Sequence, residues 1–498
     1  MRNEPSFHPS IFILSLLLSG YINTSQAAPL NLVDSPLFVS TSASPLAMLV
    51  MGRDHKLYYE AYNDASDLNN DGTIDVGYQP SIEYFGYFDS HLCYQYSGNV
   101  FSPSQKASNK KCNGSEWSGD FLNYVTTARI DALRKVLYGG LRSVDTNNET
   151  ILQRTHIPQD AHAWGKAYDP LKDNHYSITD YTPLAEPIDG ERHLFANVSL
   201  SYDGQPLMRV LNNTQYNVWD WVSIERPVAG NNCLNGGNPC ASGSSTITNY
   251  SVNIRVCSSD DDKRSDSSNC QRYSNGNYKP TGLLQQYGEN DSIMFGLFTG
   301  SYQNNLQGGV LRKNIGSLTD EVNSGNGTFK TTVGIIKTID KLRTYGFNYN
   351  TYPEFTYKCG WITNRAINNG ECTMWGNPIG EIMYESLRYF AGENPTPEFL
   401  YNSGSIDSTL GLPLATWKDP YDTYGHCAKP FQLVISDINP SYDSDSLPGS
   451  AFSSWTDPDL PLNVQSEAAF ITASENGIVG KRYIGESKDD PASSATPA

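Results

Sequence analysis

A chain of 498 residues with a formal net charge of −18 repels nucleic-acid phosphates and anionic membrane surfaces, and divalent cations are its natural counter-ions. Hydrophobic residues are 38% and mean hydropathy is −0.47, enough apolar material for two or three domains' worth of core in a soluble protein with long polar loops. The 32 tyrosines, 41 glycines and 28 prolines match extracellular binding proteins better than cytosolic enzymes.

In chain order, Arg2, an apolar run over residues 11–18 and the small residues of Ser25-Gln26-Ala27 read as a secretory signal peptide, residues 1–27, cut after Ala27. The apolar run is too short to span a bilayer, so the mature chain is expected in the periplasm, at the cell surface or on a surface appendage. Residues 44–50 form an apolar run predicted to be a buried strand.

A metal-binding pattern follows. In Asp67-Leu68-Asn69-Asn70-Asp71-Gly72-Thr73-Ile74-Asp75, oxygen-bearing side chains recur at every second position and glycine stands sixth. Ca²⁺ takes six to eight oxygens, and this alternation lets a tight loop wrap around it. Asp67, Asn69 and Asp71 would supply side-chain oxygens, Thr73 its carbonyl, and Asp75 a direct or water-bridged carboxylate. The twelfth position of an EF-hand should be Glu and is Tyr78 here, so the last ligand is sought upstream at Asn63 or Asp64. Asp, Asn and Gly favour turns in any case, but turn chemistry alone does not demand the alternation.

Ser118 as N-cap, apolar residues at helical spacing and Gly139-Gly140 as a stop predict one helix over residues 118–140. Residues 147–288 change texture to short β-like runs at 194–200, 207–211 and 250–256, with Asp203-Gly204 as a hairpin turn between the first two. Beyond them, 292–298 and 431–435 read as strands, and 329–342 and 378–391 as helices. Eight of the nine cysteines fall as local couples, which in an oxidising compartment predicts Cys93–Cys112, Cys233–Cys240, Cys257–Cys270 and Cys359–Cys372. Proximity does not fix connectivity, and Cys427 is left over.

Residues 47–64 (AMLVMGRDHKLYYEAYND), 119–124 (GDFLNY), 129–140 (RIDALRKVLYGG), 219–227 (WDWVSIERP) and 378–390 resemble the N-terminal region of the PilC/PilY type IV pilus adhesins. The resemblance implies an α/β fold: a degenerate von Willebrand A-like domain with a large β-rich, disulfide-stapled insertion. The expected parts are residues 28–146 as the first part of the A-like core with the calcium loop, 147–288 as the insertion, 289–486 as the incomplete remainder, and 487–498 as a disordered tail. A-like domains hold a metal in a D-x-S-x-S, Thr and Asp constellation at strand ends. Here Met51-Gly52-Arg53-Asp54-His55 lacks both serines, Asn377 stands at the threonine place and Asp437 alone fits, so that site is expected to be degenerate. Family members continue into a C-terminal β-propeller, and the unpaired Cys427 suggests a fragment or truncated member.

The resemblance implies a secreted protein of pilus biogenesis and adhesion, with minor pilins and a host or abiotic surface as partners; the Asp67–Asp75 loop gives Ca²⁺ as its ion. No G-x-S-x-G, H-E-x-x-H or P-loop occurs, so no enzyme is expected. His156, Asp160 and His162 cluster beside Pro158 and read as surface or packing residues rather than zinc ligands. The contrasting readings are a secreted calcium-stabilised hydrolase of polysaccharide, without an identified nucleophile, and a free-standing surface-binding module.

Overall fold

A computed structural model describes residues 43–160, 162–222, 245–266, 268–345, 365–399, 404–437 and 440–474. In chain order the elements that frame the site begin with β1 (Leu46–Met51), then α1 (Gly119–Thr126) and α2 (Arg129–Tyr138). A hairpin, β2 (Arg192–Val198) and β3 (Leu207–Thr214), comes next, then β4 (Met294–Thr299) and β5 (Val310–Gly316). Last come α3 (Ile335–Lys341), α4 (Ile379–Phe390) and β6 (Pro430–Ile435).

One four-stranded sheet has the order β5-β4-β1-β6. β1 runs parallel to both β4 and β6, and β5 is an antiparallel edge. Leu46, Met48, Leu49, Val50 and Met51 are buried, as a central strand covered on both faces requires. α4 packs across β1, β4 and β6, with its Ile379 and Ile382 buried, while β6 leaves Phe431, Leu433 and Val434 exposed.

The predicted long helix is two helices. Ser118 does cap the first, its hydroxyl accepting from the Phe121 amide, and Gly139 does end the second at φ 87°. Between them Thr127 and Ala128 are extended, because their backbone pairs with an earlier segment: the Ala61 amide donates to Thr127 O at 2.9 Å and the Arg129 amide to Tyr59 O at 3.0 Å. The Thr126-Thr127 pair has modest helix propensity, and this long-range pairing wins. The helix predicted over 329–342 likewise shrinks to α3. Phe329 pairs with Val322 instead, and the Glu321 carboxylate accepts the first helical amides, Ile335 at 2.9 Å and Ile336 at 2.8 Å.

Two further sheets are β-rich. β2 and β3 pair antiparallel, flanked by Trp164–Tyr168 and Thr246–Ser251. A six-stranded sheet combines Leu92–Ser97 and Val100–Lys106 with Asn253–Val256 and Thr150–Gln153, so it draws on the chain before and after residue 147. Tyrosines fill the core beneath: Tyr78 meets Tyr84, Phe121, Tyr176 and Tyr181 at ring separations of 5.0–5.4 Å. Among them Asp120, itself buried, accepts from Tyr78 OH at 2.8 Å and the Tyr84 amide at 2.9 Å.

Cys93–Cys112 and Cys257–Cys270 are disulfides, as predicted. Cys233, Cys240 and Cys359 lie outside the described residues, as does the signal peptide; Cys372 is disulfide-bonded and Cys427 is a free, exposed thiol. Among the described residues no helix is long and apolar enough to cross a membrane.

Candidate functional site

Two carboxylate sites flank the loop that leaves β1. The first is the run Asp67–Asp75, an exposed loop closed by a bridge between Ser66 and Asp75. All five predicted ligands sit in it. Asp67 accepts from the amides of Asp71 (3.1 Å) and Gly72 (2.8 Å), Asn69 from Asp71 (2.9 Å), Asp71 from Thr73 (2.9 Å) and Asp75 from Leu68 (2.8 Å). Gly72 at φ +88° makes the turn that a side chain would resist. Among the described residues no group of three or more His, Cys, Asp or Glu side chains is gathered as a metal cage. Of the upstream candidates, Asp64 is committed elsewhere: it pairs with Lys166 at 2.7 Å and accepts from Tyr124 OH at 3.0 Å. Asn63 accepts from the Ala65 amide and Ser66 hydroxyl.

The second site lies at the carboxyl ends of β1 and β6, where open α/β sheets place ligands. The Gly52 amide continues the ladder to Ile435 O at 2.9 Å, and a Cβ on Gly52 would stand 2.7 Å from Asn377 Oδ1. Glycine permits that approach without displacing the Asn377 side chain. Asn377, buried just before α4, donates to Ser436 Oγ at 2.8 Å and pairs its backbone with Ser441, leaving Oδ1 without a hydrogen bond. Asn377 and Asp437 therefore do share one crevice. Asp437 pairs there with Lys56, four residues beyond Gly52. Arg53 turns inward, donating from Nε to Ser301 O at 2.6 Å and stacking on Tyr302, and burial lowers its pKa. Asp54 caps the following turn by accepting from the Lys56 amide at 2.7 Å. Lys56 was not legible as a site residue, because its partner is hundreds of positions away and only the fold brings them together.

The His156 cluster divides. His162 and Asp160 are buried and hydrogen-bonded at 2.8 Å, with the His55 ring 5.4 Å from His162. Burial lowers the His55 pKa, more than Asp54 raises it. His156 faces elsewhere, 3.1 Å from Ser201 O.

Two family models match the chain: residues 75–218 match "PilY1 homolog, small alpha/beta domain" and residues 295–498 match "PilY1 homolog, second domain". The chain belongs to the PilY1-like family. It is 49% identical over 482 residues to a type IV pilus biogenesis factor PilY1 homolog of Xylella fastidiosa (strain Temecula1 / ATCC 700964), covering 90% of this chain and 32% of that protein. A second protein of that name and organism is 29% identical over 414 residues, 75% of this chain and 31% of the relative. The chain thus spans about a third of the length of the curated relatives it matches. No solved structure matches it.

Proposed function

We propose that this chain is a non-enzymatic, exported component of the type IV pilus system that serves pilus biogenesis and adhesion and binds one Ca²⁺ through Asp67, Asn69, Asp71, Thr73 and Asp75. The observation that carries the pilus role is the 49% identity, across most of the chain, to a relative named as a pilus biogenesis factor. Two disulfides agree with an oxidising location in the periplasm, at the cell surface or on the pilus. Its partners are minor pilins and a host or abiotic surface. The order β5-β4-β1-β6, with parallel central strands and a crevice at their carboxyl ends, supports a degenerate von Willebrand A-like core. In that crevice Lys56 holds Asp437, so the strand end carries its own cation. Calcium rests on the alternation of oxygens and on the absence of any ion pair to Asp67, Asp71 or Asp75 among the described residues. Deleting the gene and scoring surface pili and attachment tests the reading. Loss of both, restored by the wild-type gene, is expected; normal piliation and attachment would contradict it.

A further inference from the structure

His156 opens onto a different feature. Where α2, the end of the strand Thr150–Gln153, the turn between β2 and β3 and the end of α3 meet, the surface holds a cavity of about 400 Å³. Three guanidiniums line it, from Arg134, Arg154 and Arg343, together with Lys341; the only carboxylates in its wall are Asp203 and Asp340. In a chain of net charge −18 such an excess of cations is local and needs a reason.

Structural duties account for part of it. Arg134 closes the end of α3 by donating to the carbonyls of Ile339, Asp340 and Leu342 at 3.0–3.2 Å, and it has Asp131 at 3.4 Å. The other two form no ion pair among the described residues: the Asp131 carboxylate acts on Arg154 only from beyond contact distance. Arg154 is 2% exposed, bonds only to Asn197 Oδ1 and to the carbonyls of Val198 and Leu207, and keeps a buried Nε without a partner. Arg343 stacks on Tyr202 with its guanidinium carbon 3.9 Å from the ring centre, donates to Tyr202 O at 3.1 Å, and also keeps a buried, unpartnered Nε. Neutral carbonyls do not cancel a guanidinium's charge, and Arg154, buried with only the more distant Asp131 carboxylate to offset it, is left incompletely compensated.

The local field agrees. Burial first, then the Arg343 and Arg154 charges, hold His156 down to about 3, so it stays neutral and adds no positive charge of its own. Asp340, raised to about 6 by burial against the pull of Arg134, is mostly ionised at pH 7, but Arg134 is the cation that acts on it most strongly, and it already accepts from Tyr138 OH at 2.6 Å.

We propose that this arginine-lined cavity binds an oxyanion, the carboxylate or phosphate group of a small ligand, with Arg343 and Arg154 as its principal partners and Lys341 at its rim. Planar guanidiniums match carboxylate and phosphate oxygens in pairs of hydrogen bonds, which is why arginine rather than lysine recurs at such sites.

The test is calorimetric titration of the full chain at pH 7 and constant ionic strength with two probes, inorganic phosphate and succinate. Saturable binding with one site per chain is expected for at least one probe; phosphate alone would identify a phosphate group as the ligand's head, succinate alone a carboxylate. Arg343→Gln should weaken binding about tenfold or more, the size of one lost charge-assisted pair, with an unchanged melting temperature. Lys341→Gln should weaken it roughly threefold, as a partly solvated charge contact does, and supplies the reading if the arginine variant misfolds. Failure of the wild-type chain to bind either probe saturably would overturn the proposal, as would undiminished binding in both variants.

Discussion

The loop Asp67–Asp75 and the crevice at Asp437 lie on the same side of β1 in sequence, yet they handle negative charge in opposite ways. Asp437 receives a lysine from its own chain. The loop's three aspartates receive only backbone amides. A third answer stands nearby on α4, where Glu381 is fully buried with its oxygens accepting from the Gly308 amide at 2.7 Å and the Ser446 amide at 3.0 Å. Burial pushes it up to about 8, so it holds a proton at neutral pH. A lysine, a proton and, as proposed for the loop, a calcium ion are three ways to neutralise a carboxylate: the first makes no demand on the medium, the second ties stability to pH and the third to calcium.

The largest effect is expected where self-supplied charge is most buried. Arg312 and Asp407 pair at 2.5 Å with no exposed surface on either side chain. Asp407→Asn leaves a buried guanidinium without its counter-ion and should cost about 3–5 kcal/mol, measured by urea unfolding. Glu381 comes next. Its pKa is raised on folding, so the folded state binds a proton that the unfolded state has released between pH 4.5 and about 8. That contribution is fully present below pH 4.5 and falls as pH rises through the window, by about 1.4 kcal/mol per unit where the difference is one proton. Glu381→Gln should flatten the slope by that amount, and an unchanged slope would deny it the proton.

Calcium should raise stability by about 2.7 kcal/mol at a hundredfold excess over Kd, read as a shift in melting temperature against chelator. Asp71→Ala should abolish that shift. Smallest is Lys56→Ala. The lysine side chain is 36% exposed and solvent screens the pair, so a loss of about 0.5 kcal/mol is expected from chemical denaturation. A loss several times larger would mean that the crevice is drier than its exposure indicates.

What could be read from residues alone followed distance along the chain. The strands β1, β4 and β6, the Ser118 cap, the stop at Gly139 and two cysteine pairs all rest on local pattern, and each stands near its expected place. The split between α1 and α2 was hidden because it depends on pairing with residues 59–61. The shortened α3 was hidden because Glu321 sets its start from another segment. The same holds at the sites. The loop's oxygens are contiguous in sequence, whereas the contacts of Lys56 with Asp437 and of Asn377 with Gly52 exist only once the sheet has formed.

The difference between the loop and the crevice is tested most directly by calcium stoichiometry, through equilibrium dialysis of the full chain at millimolar Ca²⁺. One calcium per chain is predicted for the wild type and for Asp437→Asn, and none for Asp71→Ala. Retention of calcium by Asp71→Ala, or its loss from Asp437→Asn, would put the ion in the crevice and contradict the account.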